Sequence, residues 1–276
     1  MRTPESPFRG PRRPLRPGGM TGLAGVLALA VTGLVAPATA HPTPRADGVP
    51  SVAGPVVRGM DVSGHQGRVD WRAAWRSGAR FAYVKATEGT GFRSSTHRAQ
   101  YRGARAVGML RGSYHFARPD LSPAAPQARF FVANGGDWKP DGHTLPGVVD
   151  IEYNPYGPDD CYGLGPAEMS QWIAEFSDTY RALTGRFPMI YTTRHWWNTC
   201  TGGNTGFAGN NPLWVARYGP RVGELPAGWA SHTMWQYDNE GVLPGDQNLF
   251  RGDAAALRRF ATGGPRQRAA ARQAPR

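Results

Sequence analysis

Short apolar runs recur from residue 56 to residue 250, most of them ending in polar or acidic side chains, and nothing else in the chain narrows the fold as much. They are 56–62 (VVRGMDV), 81–87 (FAYVKAT), 109–116 (MLRGSYHF), 147–153 (GVVDIEY), 187–193 (FPMIYTT), 212–218 (PLWVARY), 233–238 (TMWQYD) and 246–250 (DQNLF). Their β-branched and aromatic residues, bounded by turn-forming residues, read as strands. The first five are separated by segments that read as helices, 71–77, 96–107, 122–134 and 165–184. In the last of these Met169, Trp172, Ile173, Phe176, Tyr180 and Leu183 recur at helical spacing. Apolar strands alternating with helices predict a parallel sheet covered by helices, and eight strands fit a closed barrel. The last three strands are joined by short Gly/Pro-rich connections. The expected fold is therefore α/β: a single irregular (β/α) barrel, TIM-like, whose last strands lack regular helices.

In such a barrel the chemistry sits at the C-terminal ends of the strands. The run 147–153 shows why that matters here. Side chains alternate faces along a strand, so Asp150 and Glu152 point to one side and Ile151 to the other. Two like charges at the end of a hydrophobic strand are costly unless something uses them. Asp61 in the first run and Asp246 in the eighth are expected to join them in one pocket. The chain shows no nucleophile elbow, no Gly-rich phosphate loop and no Cys or His pair at ligand spacing, so neither a metal nor a cofactor is expected. A carboxylate cluster on its own suits glycoside hydrolysis, which needs one protonated acid and one ionised group. Crowding supplies the difference by raising one pKa. Side chains two apart also leave no room for a water between acid and base, which disfavours inversion.

Tyr83, Tyr114, Tyr153, Tyr191, Trp214, Tyr218 and Tyr237, together with Gln236, lie in or beside the strands and are expected to bind substrate, the rings as platforms for sugar faces. His65 and His115 read as structural or subsite hydrogen-bonders. Lys85 reads either as a partner of a pocket carboxylate or as a strand-end salt bridge, and Glu88 as support for the loop that follows.

The two ends account for the charge. The formal net charge is +12, yet residues 1–40 carry five Arg and one Glu, and residues 258–276 carry six Arg and no acid. Residues 59–257 hold 19 basic and 18 acidic groups, a near-neutral body that argues against nucleic-acid binding. Residues 1–40 join a basic start, an apolar run (TGLAGVLALAVTGLVA) and Ala38-Thr39-Ala40, the pattern of a secretory signal peptide. No later segment is apolar enough to cross a bilayer, so a secreted protein, extracellular or held at the cell wall without stable membrane association, is expected. Residues 41–57 read as a Pro-rich linker, 58–260 as one catalytic domain, and 261–276 as a basic disordered tail. A monomer is expected. In an oxidising compartment Cys161 and Cys200 read as one disulfide closing a loop of about 40 residues; two separate buried thiols are the alternative.

The motifs GMDVSGHQG (59–67), YVKATEGTGF (83–92), GSYHFARP (112–119), VVDIEY (148–153), PMIYTT (188–193), PLWVARYG (212–219) and MWQYDNEGVLPGDQNLF (234–250) together resemble glycoside hydrolase family 25, the Chalaropsis-type lysozymes. The likeness leans toward secreted actinobacterial members, including the cysteines in DDCYG (159–163) and WWNTC (196–200). It implies cleavage of the β-1,4 bond between N-acetylmuramic acid and N-acetylglucosamine in bacterial peptidoglycan. It implies Glu152 as general acid, Asp150 as nucleophile or as the group that orients the substrate acetamide, and Asp61 and Asp246 as shapers of the charge. A substrate-assisted chitinase would need acids where Leu145 and Val148 stand. A catalytically dead wall-binding module would have no use for the carboxylate cluster.

Overall fold

The computed structural model describes residues 48–50 and 52–274. The segment read as a signal peptide and the start of the one read as a linker lie outside the described residues. In chain order the strands are β1 (Val56–Val62), β2 (Phe81–Glu88), β3 (Phe92–Arg93), β4 (Leu110–Phe116), β5 (Val148–Asp150), β6 (Met189–Thr192), β7 (Leu213–Ala216), β8 (Met234–Asp238) and β9 (Asp246–Arg251). The helices are α1 (Trp71–Arg76), α2 (His97–Ala106), α3 (Ala124–Phe131), α4 (Pro166–Thr184), α5 (Arg194–Cys200), α6 (Ala254–Thr262) and α7 (Pro265–Gln273). Sheet order β1-β9-β8-β7-β6-β5-β4-β2, with β1 pairing back onto β2, closes an eight-stranded barrel, and β3 is a short antiparallel flap on β2. None of the helices among the described residues is long and apolar enough to cross a membrane.

The barrel is irregular in one further respect. Its pairings are parallel except at β9, which runs antiparallel to both β8 and β1. The cause is chain length. Residues 239–245 are all that join β8 to β9, and a parallel return needs a crossover of a dozen or more residues. The all-parallel expectation is corrected on that ground. The basic segment read as disordered is corrected too, since it carries α7. Pro265 stands at the start of that helix, Gln267 caps the Gly264 N–H at 2.8 Å, and Ala269–Ala271 favour the helix intrinsically. Residues 48–57 are not all linker: Val49 is buried against the helix-side core, and β1 begins at Val56.

Strand alternation sorts the side chains into two layers. Phe81, Tyr83, Leu110, Val148, Met189, Trp214, Met234 and Phe250 fill the barrel interior. Val149, Ile151, Ile190, Leu213, Val215, Trp235 and Leu249 face α3–α5. Two glycines make room for the interior rings. A Cβ at Gly59 would stand 2.4 Å from the Phe81 ring, and one at Gly112 would stand 2.2 Å from Tyr83. The Cys161–Cys200 disulfide forms, tying the loop after β5 to the end of α5.

Candidate active site

Strand polarity decides what meets at the barrel mouth. Asp61 lies near the end of β1, Asp150 ends β5, and Glu152 follows two residues later. Asp246 is the first residue of β9, yet β9 runs against β1 and sets Asp246 directly opposite Asp61 in the ladder. The one antiparallel strand therefore delivers its first residue where its neighbours deliver their last. Ile151 is buried against the helix layer, so Asp150 and Glu152 share the inner face as the alternation requires.

Two amides fix Asp61. Gln236 Nε2 donates to Asp61 Oδ2 (2.9 Å) and to Asp246 Oδ2 (3.0 Å), while its Oε1 accepts from the Tyr191 hydroxyl (2.8 Å). Asn248 Nδ2 donates to the same Asp61 oxygen (2.7 Å), and its Oδ1 accepts from the Trp214 indole N–H (2.8 Å). An indole N–H is a donor only, so it obliges Asn248 to turn its oxygen toward Trp214 and its NH₂ toward the acid.

Burial raises the pKa of all four carboxyls, and hydrogen bonds and neighbouring charges then spread them apart. Asp61 is pushed up to about 6 by burial, held back by the two amide donors. Glu152 is pushed up to about 7 by burial; a hydrogen bond with Asp150 and the charge of Lys85 oppose the shift, and repulsion from Asp61 adds to it. Asp246 rises to about 8 through burial and then repulsion from Asp61 and Glu152. Asp150 lies well above the usual carboxylate range, first through burial and then through the Glu152 charge. Its Oδ1 is buried with no hydrogen-bond partner among the described residues. As the pocket loses protons, Asp61 ionises first.

The expected substrate-binding residues divide by depth. Tyr114 packs on the interior cluster and feels all four carboxylates. Tyr191 and Trp214 form a buried floor that orients the amides, with their rings edge to face at 5.1 Å. Gln236 is buried and acts on the acids. Tyr218 is 52% exposed and its environment is set by Asp246, Asp61 and Glu152. Tyr153 hydrogen-bonds His195 Nδ1 at 2.8 Å at the rim. Two expectations are corrected. Tyr83 is fully buried one layer below the mouth, its hydroxyl donating to the Pro146 carbonyl (3.0 Å). Tyr237 is buried against the helix-side core, because it follows Gln236 directly and neighbours on a strand face opposite ways.

Lys85 settles on Glu88 (Nζ–Oε2 2.7 Å) while its charge still reaches Asp150 and Glu152. Glu88 also accepts from the Tyr156 hydroxyl (2.6 Å), and the Arg118 guanidinium lies 4.0 Å from the centre of the Tyr156 ring. The Lys85–Glu88 pair is the strand-end salt bridge that the sequence offered as one reading, whereas the Arg118–Tyr156 stack has no local signature in the sequence. His115 lies on the outer face of β4, fully buried. Its Nε2 donates to Gln127 Oε1 (2.9 Å), and its Nδ1 accepts from Thr87 Oγ1 (2.8 Å). Burial pushes its pKa down to about 4, which makes it a neutral structural residue.

A mouth with four crowded carboxyls on a closed barrel narrows the chemistry, and the family model of glycosyl hydrolases family 25 matches residues 60–246. The chain belongs to this family. It is 50% identical over 208 residues to an N,O-diacetylmuramidase of Arthroderma benhamiae, covering 75% of this chain and 88% of that protein. It is 45% identical over 223 residues to Lysozyme M1 of Streptomyces globisporus, covering 79% and 75%. The solved muramidase of Acremonium alcalophilum is 51% identical with a TM-score of 0.74, covering 75% of this chain and all of that one. The Arthroderma protein is more identical than the Streptomyces one, so these figures show no leaning toward the actinobacterial members. As a family 25 member the chain is a glycoside hydrolase, and its matched region ends at the carboxylate that opens β9.

Proposed function

We propose that this chain is a secreted lysozyme that hydrolyses the β-1,4 bond between N-acetylmuramic acid and N-acetylglucosamine in bacterial peptidoglycan, with retention. Glu152 is the general acid. Its pKa near 7 keeps it protonated up to neutral pH, so it delivers a proton to the glycosidic oxygen and later takes one from water. Asp61, ionised first and held by two amides, keeps the Glu152 proton in place by repulsion and offsets positive charge at the sugar carbon.

The single observation that carries the mechanism is the Asp150 carboxyl. It is hydrogen-bonded to Glu152, too close for an inverting pair, which stands ~6.5–9.5 Å apart. Its Oδ1 is buried and accepts from no backbone or side-chain N–H among the described residues, an acceptor suited to the N–H of a substrate acetamide. A carboxyl so reluctant to ionise is a poor nucleophile. Assistance by the acetamide oxygen is therefore favoured over a covalent aspartyl intermediate. Tyr218 at the rim offers an exposed ring to a sugar face.

Mass spectrometry of fragments released from purified peptidoglycan tests this reading. New reducing ends on muramic acid, absent with Glu152→Gln, are expected. Reducing glucosamine ends or freed peptides would overturn it.

A further inference from the structure

The end of the barrel opposite the mouth is built as a rigid basic surface. β9 starts at the mouth and ends at the far side, where α6 plugs the barrel. Leu257 and Ala261 of α6 join Val57 and Phe250 in the interior cluster. The last carbonyls of α6 are tied down from below. Arg186 Nη1 donates to the Phe260 carbonyl (2.6 Å) and Trp138 Nε1 to that of Ala261 (3.0 Å), with the buried Arg186 guanidinium between the Trp138 and Phe260 rings. α7 lies against the end of α4, so close that a Cβ at Gly185 would stand 2.2 Å from the Ala271 nitrogen. Both helices follow the segment matched by the family, which ends at residue 246.

Residues 254–274 hold five arginines and no acid. Arg258, Arg259 and Arg272 are exposed, and Arg268 donates to the Gly263 carbonyl (2.6 Å). Among the described residues none of these four forms an ion pair. Asp253 is engaged in capping α6 through the Ala256 N–H, and Asp178 of α4 lines the groove beside Gln273. Asp141, next to Gly142 whose Cβ would stand 3.4 Å from Thr262 Oγ1, is engaged by the His143 and Thr144 N–H groups.

We propose that this basic end is a docking surface for the phosphodiester polymers carried by bacterial walls. The proposal rests on the wall as the place of action. A guanidinium fork matches a phosphate, and the acidic mouth at the opposite end repels one. Docking there leaves the mouth free to cut a neighbouring glycan. The arginines stand on helices already anchored, so little ordering is needed on binding. A lipid surface fits poorly, because the apolar face of α6 is spent inside the barrel and the large exposed apolar residues, Leu121, Tyr156, Tyr218 and Val242, all lie outside α6 and α7. Nucleic acid fits poorly as well, since the single aromatic ring of those two helices, Phe260, is half-buried against Phe250 and the Arg186 guanidinium.

Co-sedimentation on ice tests the proposal, with intact sacculi and with the same sacculi stripped of phosphodiester polymer by hydrofluoric acid. Three guanidinium–phosphate contacts at a slope of about −0.7 each predict a roughly twentyfold fall in affinity between 50 and 200 mM salt. The triple variant Arg258→Gln, Arg259→Gln, Arg272→Gln is expected to lose most of the binding to intact sacculi. It should hydrolyse a soluble glycan fragment at the unaltered rate, which also checks its folding and separates docking from catalysis. Equal binding of the unaltered protein to stripped and intact sacculi would overturn the proposal whether or not the variant folds. So would tighter binding to phosphatidylglycerol vesicles, or to duplex DNA, than to the intact wall.

Discussion

Replacing Gln236 by Met keeps the side-chain length and removes every polar contact of the amide. Asp61 Oδ2 then retains one donor, from Asn248, of its two. Asp246 Oδ2 loses its bond from Gln236, and the Tyr191 hydroxyl loses its acceptor. A hydrogen bond to a charged group is worth about 1.5–3 kcal/mol, and one pKa unit is about 1.4 kcal/mol. Asp61, held near 6 against burial by the two amides, should therefore rise by about one to two units. As it becomes neutral it ceases to repel, and the Glu152 pKa falls from about 7. The two limbs of the pH–rate profile, which report the pocket as a coupled set, should close on each other. The acid limb moves up by about one to two pH units, the basic limb moves down, and the peak rate falls at least tenfold. The assay is release of soluble fragments from purified wall between pH 4 and 9. A loss of rate uniform across pH, or an unmoved acid limb, would refute the reasoning.

Converting Cys161 and Cys200 together to Ser opens a loop spanning 39 residues; chain entropy predicts a loss of about 4 kcal/mol, read by urea unfolding, with little change in rate for the fraction that stays folded. Tyr218→Ala should raise KM severalfold, whereas Tyr83→Phe should leave KM unchanged and cost only about 1 kcal/mol of stability for the lost bond to Pro146; the reverse pattern in steady-state kinetics would restore Tyr83 to the binding site. The raised carboxyls of Asp61, Glu152 and Asp246 mean that the folded chain holds more protons than the unfolded one from about pH 4 to about pH 8. Their contribution to stability is full in acid and is lost as pH rises through that window. His115, depressed to about 4, acts oppositely below pH 6.5, so Tm by calorimetry should fall from pH 6.5 to pH 8.5, and less steeply in Asp246→Asn.

Most of the barrel was legible because its strands are apolar runs with few rivals, and the run 56–62 coincides with β1 residue for residue. The direction of β9 was not read, although the seven residues before it already forbade a parallel return. α5 and α6 went unread for different reasons. RHWWNTC is too short to show a period. AAALRRFAT buries only Leu257 and Ala261, so its apolar signal is thin until the open barrel end beneath it is known. Within the site, the alternation that set Asp150 and Glu152 on one face was also enough to separate Gln236 from Tyr237, and naming both as substrate contacts ignored it. Tyr83 misled because depth along a strand is invisible to period-two reasoning; it sits one layer below Lys85 on the same face. The Asn248 clamp could have been suspected from its spacing to Asp246, two residues on, but its bond to Trp214 crosses between strands and has no local signature.

The protonation of Glu152 is the claim on which the chemistry turns. Carbon-13 NMR titration of the glutamate side-chain carboxyls, with Glu152 identified by the resonance missing from Glu152→Gln, measures it directly. A midpoint near 7, moving to lower pH in Asp61→Asn, is expected from burial and repulsion. A midpoint below 5 that ignores Asp61 would contradict it.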